Sequence, residues 1–344
     1  MTHVLVVRLD RMGDVLVCGP AVRAVAAAAD KVTMLVSPAG AQAARLLPGI
    51  DATVVWDCPW IGAPPPPVEC ADVDLLVDAI SAAGVDEALV LTSYHQSALP
   101  TALVLRMAGV GRVAAVSSDY PGDLLTTRIA EPPDAPEPLR MLAIAEAAGY
   151  RLPSGDDRAM AVHTPARPPV DTPDEPFTVV HPGTDAPARA YPEERWQQVV
   201  AALTAAGRTV VVTGAHADAA IAASITAAAR PPGRVVDMCA RTDVADLAAI
   251  LDRAQVVVVA NTGPAHLAAA VRTPVVSLFA PVVPAARWAP YGVRSVLLGD
   301  QDAPCRGTRA RECPVPGHPC LTGVPADAVL AAVDALAPLP EAVA

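Results

Sequence analysis

Short unbroken runs of Val and Leu punctuate this chain, and Ala- and Leu-rich amphipathic stretches fill the intervals between them. HVLVVRL (residues 3–9), KVTMLVSP, ATVVWD and EALVLTS set a strand-then-helix rhythm that runs to about residue 116. The rhythm restarts with FTVV, continues through RTVVVT and RVVDM, and reaches VVVVANTGPAH (residues 256–266) followed by TPVVSLFA. Apolar runs without polar alternation predict strands buried on both faces, and strands alternating with helices predict parallel sheets. One helix is expected over residues 15–29 and another over 139–149. The last amphipathic stretch, ADAVLAAVDALA, is a candidate to pack back on the N-terminal half.

Two proline- and acid-rich segments, EPPDAPEP and TPARPPVDTPDEP, separate the two series. They divide the chain into domains over 1–168 and 169–344, each opening on a strand, with a ligand cleft expected between them. In GAPPPPVEC four successive prolines exclude a helix or a central strand and predict a stiff surface loop.

Composition narrows the function. The net charge of −11 argues against nucleic acid and against docking on an anionic membrane. No apolar run is long enough to span a bilayer and no leader precedes the first strand, so a cytoplasmic protein is expected. Seven cysteines in 344 residues argue against a disulfide framework. Cys305, Cys313, His318 and Cys320 share one loop, but their spacing is not that of paired zinc ligands, and free thiols are expected. Asp72-Val73-Asp74 and Asp300-Gln301-Asp302 resemble acidic metal-binding triplets. The first stands just before an apolar helix, where caps belong, and the second lacks a phosphate motif beside it, so no metal is expected.

Candidate chemistry lies in the turns that follow strands, because parallel sheets present ligands at their carboxyl edge. After the first strand come Arg11, Met12, Gly13 and Asp14: Gly13 is suited to a left-handed turn, and Asp14 is either a helix cap or a reacting carboxylate. Tyr94, His95 and Gln96 follow another strand and could line a polar pocket. His181, Gly183 and Thr184 follow FTVV, and Arg189 comes shortly after, with a guanidinium able to grip phosphate through two donors. Asp218 follows RTVVVT, where it caps a helix or accepts from a ribose. Asn261, Thr262 and Gly263 form the turn after VVVVA, Pro264 occupies the first helical position, and His266 lies in the first turn. A helix opening there favours an anion. The absence of a GxGxxG or Walker loop suggests a diphosphate held by a few donors and disfavours a dehydrogenase.

RMGD, HPGT with an arginine before YPEERW, GAHAD and NTGPAH, in this order over residues 3 to about 330, resemble glycosyltransferase family 9, the ADP-heptose heptosyltransferases. The resemblance implies an α/β GT-B fold of two Rossmann-like domains and metal-independent, inverting transfer from an ADP-sugar. It implies that Asp14 is the general base, Thr184 and Arg189 contact the donor phosphates, Asp218 the ribose and Met238 the adenine region. Thr262, Gly263 and His266 then match the diphosphate site, and Met12, Gly13, His181 and Gly183 support the loops. Arg11, Tyr94, His95 and Gln96 fall on the acceptor side. Arg189 stands where the family usually has lysine, Asn261 where it has aspartate, and Ala240 where it has glycine. The acceptor is left open between a soluble secondary metabolite and a lipopolysaccharide or other envelope glycan. An epimerase of the same fold and a non-catalytic sugar-nucleotide binder are the alternatives.

Overall fold

The computed structural model describes residues 1–61, 66–93, 95–165 and 171–339. The chain divides into two compact units, 1–163 and 164–344, and the boundary expected at 168/169 falls outside the described residues.

In the first unit six strands form one wholly parallel sheet: β1 (His3–Arg8), β2 (Lys31–Val36), β3 (Ala52–Val55), β4 (Glu87–Val90), β5 (Arg112–Val116) and β6 (Thr127–Ile129). Their order is β3-β2-β1-β4-β5-β6. Every residue of β1 is buried, as the unbroken apolar run requires of a central strand. The helix expected over 15–29 is two, Met12–Leu16 and Gly19–Ala26. Pro20 causes the break, since it has no N–H to continue a ladder and is accommodated in the first turn of the second helix. Gly13 sits inside the first of these helices rather than in a left-handed turn; residues 9–11 turn the chain instead.

The second unit repeats the plan with β7 (Phe177–His181), β8 (Thr209–Val212), β9 (Val235–Asp237), β10 (Val256–Ala260), β11 (Val275–Leu278) and β12 (Ser295–Leu298), again all parallel. The order, β12-β11-β10-β7-β8-β9, matches that of the first sheet when each is counted from its own first strand. TPVVSLFA is indeed the parallel neighbour of VVVVA, with Val257 opposite Val275. The last helix, Ala326–Leu336, packs within the second unit, where Val329, Val333 and Leu336 join the core containing Trp196 and Val258. Its Asp334 pairs with the buried Arg208 at 2.5 Å. Among the described residues no helix is long and apolar enough to cross a membrane.

This strand order places a reversal of winding between β1 and β4 and another between β7 and β10. The turns leaving those strands diverge to opposite faces there and leave a crevice at the carboxyl edge of each sheet.

Candidate functional site

At the first of these reversals the dominant feature is a buried arginine. Arg8, the last residue of β1, has no exposed side-chain surface. Its Nε pairs with Asp10 Oδ2 at 2.9 Å, and one Nη donates at 2.8 Å both to Asp14 Oδ1 and to Ser93 Oγ. Burial alone would loosen its proton, but the carboxylates of Asp10 and Asp14 outweigh that and hold it charged. Gln96, after β4, accepts the Ser93 N–H at 3.0 Å and donates to Asp10 Oδ1 at 2.6 Å, which closes a ring of polar contacts. Burial holds the Asp10 carboxyl above the ordinary range; Arg8 opposes this and Asp14 adds to it.

Asp14 is the third residue of the helix Met12–Leu16, and its Oδ2 accepts the Arg11 N–H at 3.3 Å. One oxygen thus bonds back to the start of its own helix, and the side chain is 23% exposed against 14% for Asp10. Arg11 and His95 are exposed beside this cluster, Met12 is partly covered, and Tyr94 lies outside the described residues. Gln96, expected on the acceptor side, uses both ends of its amide within the network. Arg8, Asp10 and Ser93 escaped the sequence reading. The available signal was an arginine closing an apolar strand with carboxylates two and six residues later.

The second reversal lies between β7 and β10. Here His181 closes β7, buried, with Nδ1 2.9 Å from Thr213 Oγ1, and burial pushes it down to about 4 against the opposing pull of Asp218. Asp218 caps its own turn by accepting the Ala215 N–H at 2.8 Å. Two glycines make room for its carboxylate: a Cβ on Gly183 would lie 2.3 Å from Asp218 Oδ2, and one on Gly214 would lie 2.9 Å from Asp218 Cβ. Thr184 is partly exposed next to this cradle.

After β10, Thr262 is the N-cap of the helix Gly263–Ala270 and its side chain caps nothing. Pro264 is the second helical residue, not the first, and leaves one fewer N–H to satisfy. His266 is buried at 6% exposure, with its ring edge-on to Trp288 at 6.2 Å. Its Nδ1 has no hydrogen bond among the described residues. Burial first, and the Arg189 charge second, push it down to about 4, so the ring is neutral near pH 7. Arg189 ends a short 3-10 turn, Pro187–Arg189, and donates to the Asn261 carbonyl at 3.3 Å.

Asn261 does something the sequence did not suggest. Its Nδ2 donates to the Ala280 carbonyl and its Oδ1 accepts the Ala280 N–H, both at 3.2 Å. The amide thus ties the exit of β10 to that of β11, a pair of bonds that an ionised aspartate could not make. Ala240 has φ +58, the left-handed region, which accounts for the glycine expected at that position. Met238 is 1% exposed and covered within the unit.

A family model described as glycosyltransferase family 9 (heptosyltransferase) matches residues 87–318. The chain belongs to glycosyltransferase family 9. It is 30% identical over 167 residues to lipopolysaccharide heptosyltransferase 3 of Escherichia coli, covering 47% of each chain. It is also 30% identical over 254 residues to lipopolysaccharide heptosyltransferase 1 of Pseudomonas aeruginosa, covering 70% of this chain and 63% of that one. The chain thus spans about half and under two thirds of these relatives. The E. coli heptosyltransferase WaaC, solved with ADP, superposes with a TM-score of 0.73 at 21% identity, covering 98% of this chain and all of that one. The α/β GT-B fold expected from the family 9 motifs is the fold found.

Other expectations from the sequence meet the structure less directly. Asp72 lies inside a helix that begins at Cys70, three residues past its N-cap Glu69 and not before the helix as expected, and accepts from the Trp56 indole at 2.7 Å. Asp300 accepts the Asp302 N–H, and Asp302 pairs with Arg306. Cys305 and Cys320 are buried in the second core, and Cys313 packs against it. Burial, with the neighbouring Cys305 and Cys313, pushes the Cys320 thiol up to about 12. Among the described residues no three His, Cys, Asp or Glu side chains are arranged to hold a metal ion.

Proposed function

We propose that this protein transfers a heptose or a related sugar from an ADP-sugar to an acceptor hydroxyl, with inversion at the anomeric carbon and no metal requirement. The observation that carries the reading is the buried His266, its Nδ1 unbonded, in the first turn of a helix that opens beside Arg189. Helix amides, a guanidinium and a neutral imidazole N–H together form a donor set for a diphosphate. The relative WaaC, whose structure contains ADP, supports the choice of nucleotide.

In this mechanism the second unit holds the donor. Thr184, Arg189, the amides after Thr262 and His266 face the diphosphate, Asp218 the ribose and the turn around Met238 the adenine. The first unit binds the acceptor, with the exposed Arg11 and His95 as its candidate contacts near Asp14. The acceptor oxygen bonds to the anomeric carbon as the bond from that carbon to ADP breaks. ADP leaves with the electron pair, and the hydroxyl proton passes to Asp14 Oδ2. Donors aimed at the growing charge on ADP accelerate departure, and removing one costs about two to three orders of magnitude in rate. The acceptor is either a soluble metabolite or an envelope glycan.

The test is acceptor-dependent ADP release from a panel of ADP- and UDP-sugars, with soluble hydroxyl compounds and inner-core oligosaccharide as acceptors. Asp14→Ala should bind ADP as the parent does in calorimetry while turnover falls by at least 100-fold. His266→Ala should weaken ADP binding about tenfold. Full turnover in the first variant removes Asp14 as base, and unchanged affinity in the second removes the phosphate site.

A further inference from the structure

We propose that Arg8 and Asp10 are positioning residues for the base: Arg8 anchors one oxygen of Asp14, and Asp10 offsets the guanidinium charge so that the other oxygen stays able to take a proton. The inference rests on the reading of Asp14 as general base and adds the machinery behind it.

The geometry divides the work. Asp14 Oδ1 is held by the Arg8 Nη, which Ser93 Oγ also accepts from, both at 2.8 Å. That leaves Oδ2 as the oxygen for an acceptor hydroxyl, with only the long 3.3 Å contact from the Arg11 N–H among the described residues. An arginine alone would make a poor neighbour for a base, because a positive charge within contact distance stabilises the ionised carboxylate. A second carboxylate on the same guanidinium reduces that effect. Asp10 supplies it from the Nε side at 2.9 Å, and Gln96 keeps it there. The other charges facing the group are fewer and more distant in effect. Glu137 acts on Arg8 and is itself paired with Arg140 at 3.2 Å; the Cys18 thiol lies beneath, with burial pushing it up to about 12; and His95, when protonated, stabilises the Asp10 anion. Arg8 Nη1 meets Met141 Sδ at 3.5 Å, so no further charge reaches it from that side.

Coupling between two titrating groups is reciprocal: whatever Asp10 does to proton binding at Asp14, Asp14 does equally at Asp10. It can therefore be read at Asp10, without substrate. Full-length protein labelled with [4-13C]aspartate gives a carboxyl resonance for Asp10, assigned by its loss in Asp10→Asn. In the parent it should titrate above the ordinary carboxylate range. In Asp14→Asn its midpoint should fall by about one pH unit, and in Arg8→Gln it should rise by at least as much. A midpoint that stays put in Asp14→Asn overturns the inference, as does movement in the same direction in both variants. Should Arg8→Gln not fold, Asp14→Asn decides alone, since its side chain is the exposed member of the cluster. Turnover separates this inference from the one beneath it. Asp10→Asn should lower kcat at least tenfold with ADP affinity unchanged, whereas full turnover in Asp14→Asn would remove the base while leaving the measured coupling intact.

Discussion

At the scale of single residues, two of the three departures from the family pattern, Ala240 and Asn261, have different physical meanings. Ala240 accepts a backbone conformation that suits glycine, its N–H bonded to the Gly214 carbonyl at 2.9 Å. A side chain in the left-handed region costs about 1–2 kcal/mol, against which glycine loses about 0.5–1 kcal/mol more backbone entropy on folding. Ala240→Gly should therefore stabilise the protein slightly, by about 0.5–1 kcal/mol, seen as a rise of about 1–3 °C in melting temperature. A lower melting temperature would show that φ here carries no strain. Asn261 is a replacement of another kind, because its amide makes paired bonds to a backbone peptide instead of relieving or adding strain. Reading a sequence identifies such positions as exceptions; it does not tell which of them is a tolerated cost and which a new contact.

At the scale of elements, Asn261 joins two strands that share a functional edge. Its carbonyl also receives Arg189, so one residue links β10, the exit of β11 and the turn that carries the Arg189 guanidinium. Asn261→Ala should cost about 1–3 kcal/mol, the price of leaving the buried Ala280 peptide without partners, and should weaken ADP binding by loosening Arg189. Denaturant unfolding and calorimetry read the two effects separately, and a variant as stable as the parent would refute the latch. Most of the strand plan was legible, since short β-branched runs such as VVVVA and TPVVSLFA favour strands buried on both faces. The break at Pro20 was legible in principle from the missing N–H, yet the apolar period on either side of it hid it. Strand order was not legible, because periodicity reports burial and says nothing of which neighbour a strand takes. For the same reason Arg8 looked like the polar end of a strand: its partner Ser93, and Gln96 that holds Asp10, come from the turn after β4, which the crossover alone brings alongside β1.

At the scale of the whole molecule, the two units should respond oppositely to acid. His181 and His266 are both in the second unit, buried and depressed to about 4 from an ordinary 6.5. Above pH 6.5 they are neutral whether the chain is folded or not, so they cost nothing. Between 6.5 and 4 the unfolded chain takes up protons that the folded one refuses, and stability is lost as pH falls; at pH 5 this amounts to about 2 kcal/mol for each histidine. Asp10, in the first unit, has the opposite sign. Its folded carboxyl binds a proton more readily than an ordinary aspartate, so acidification through the range above 3.8 favours that fold. The second unit should therefore open first on going from pH 7 to pH 5, with amide exchange rising across β7 and the helix Gly263–Ala270 while β1 stays protected. His181→Asn, which keeps a partner for Thr213 but cannot be protonated, should remove about half of the acid sensitivity. Equal exchange in both units at pH 5, or loss of β1 protection before β7, would mean that these two imidazoles do not govern the acid response.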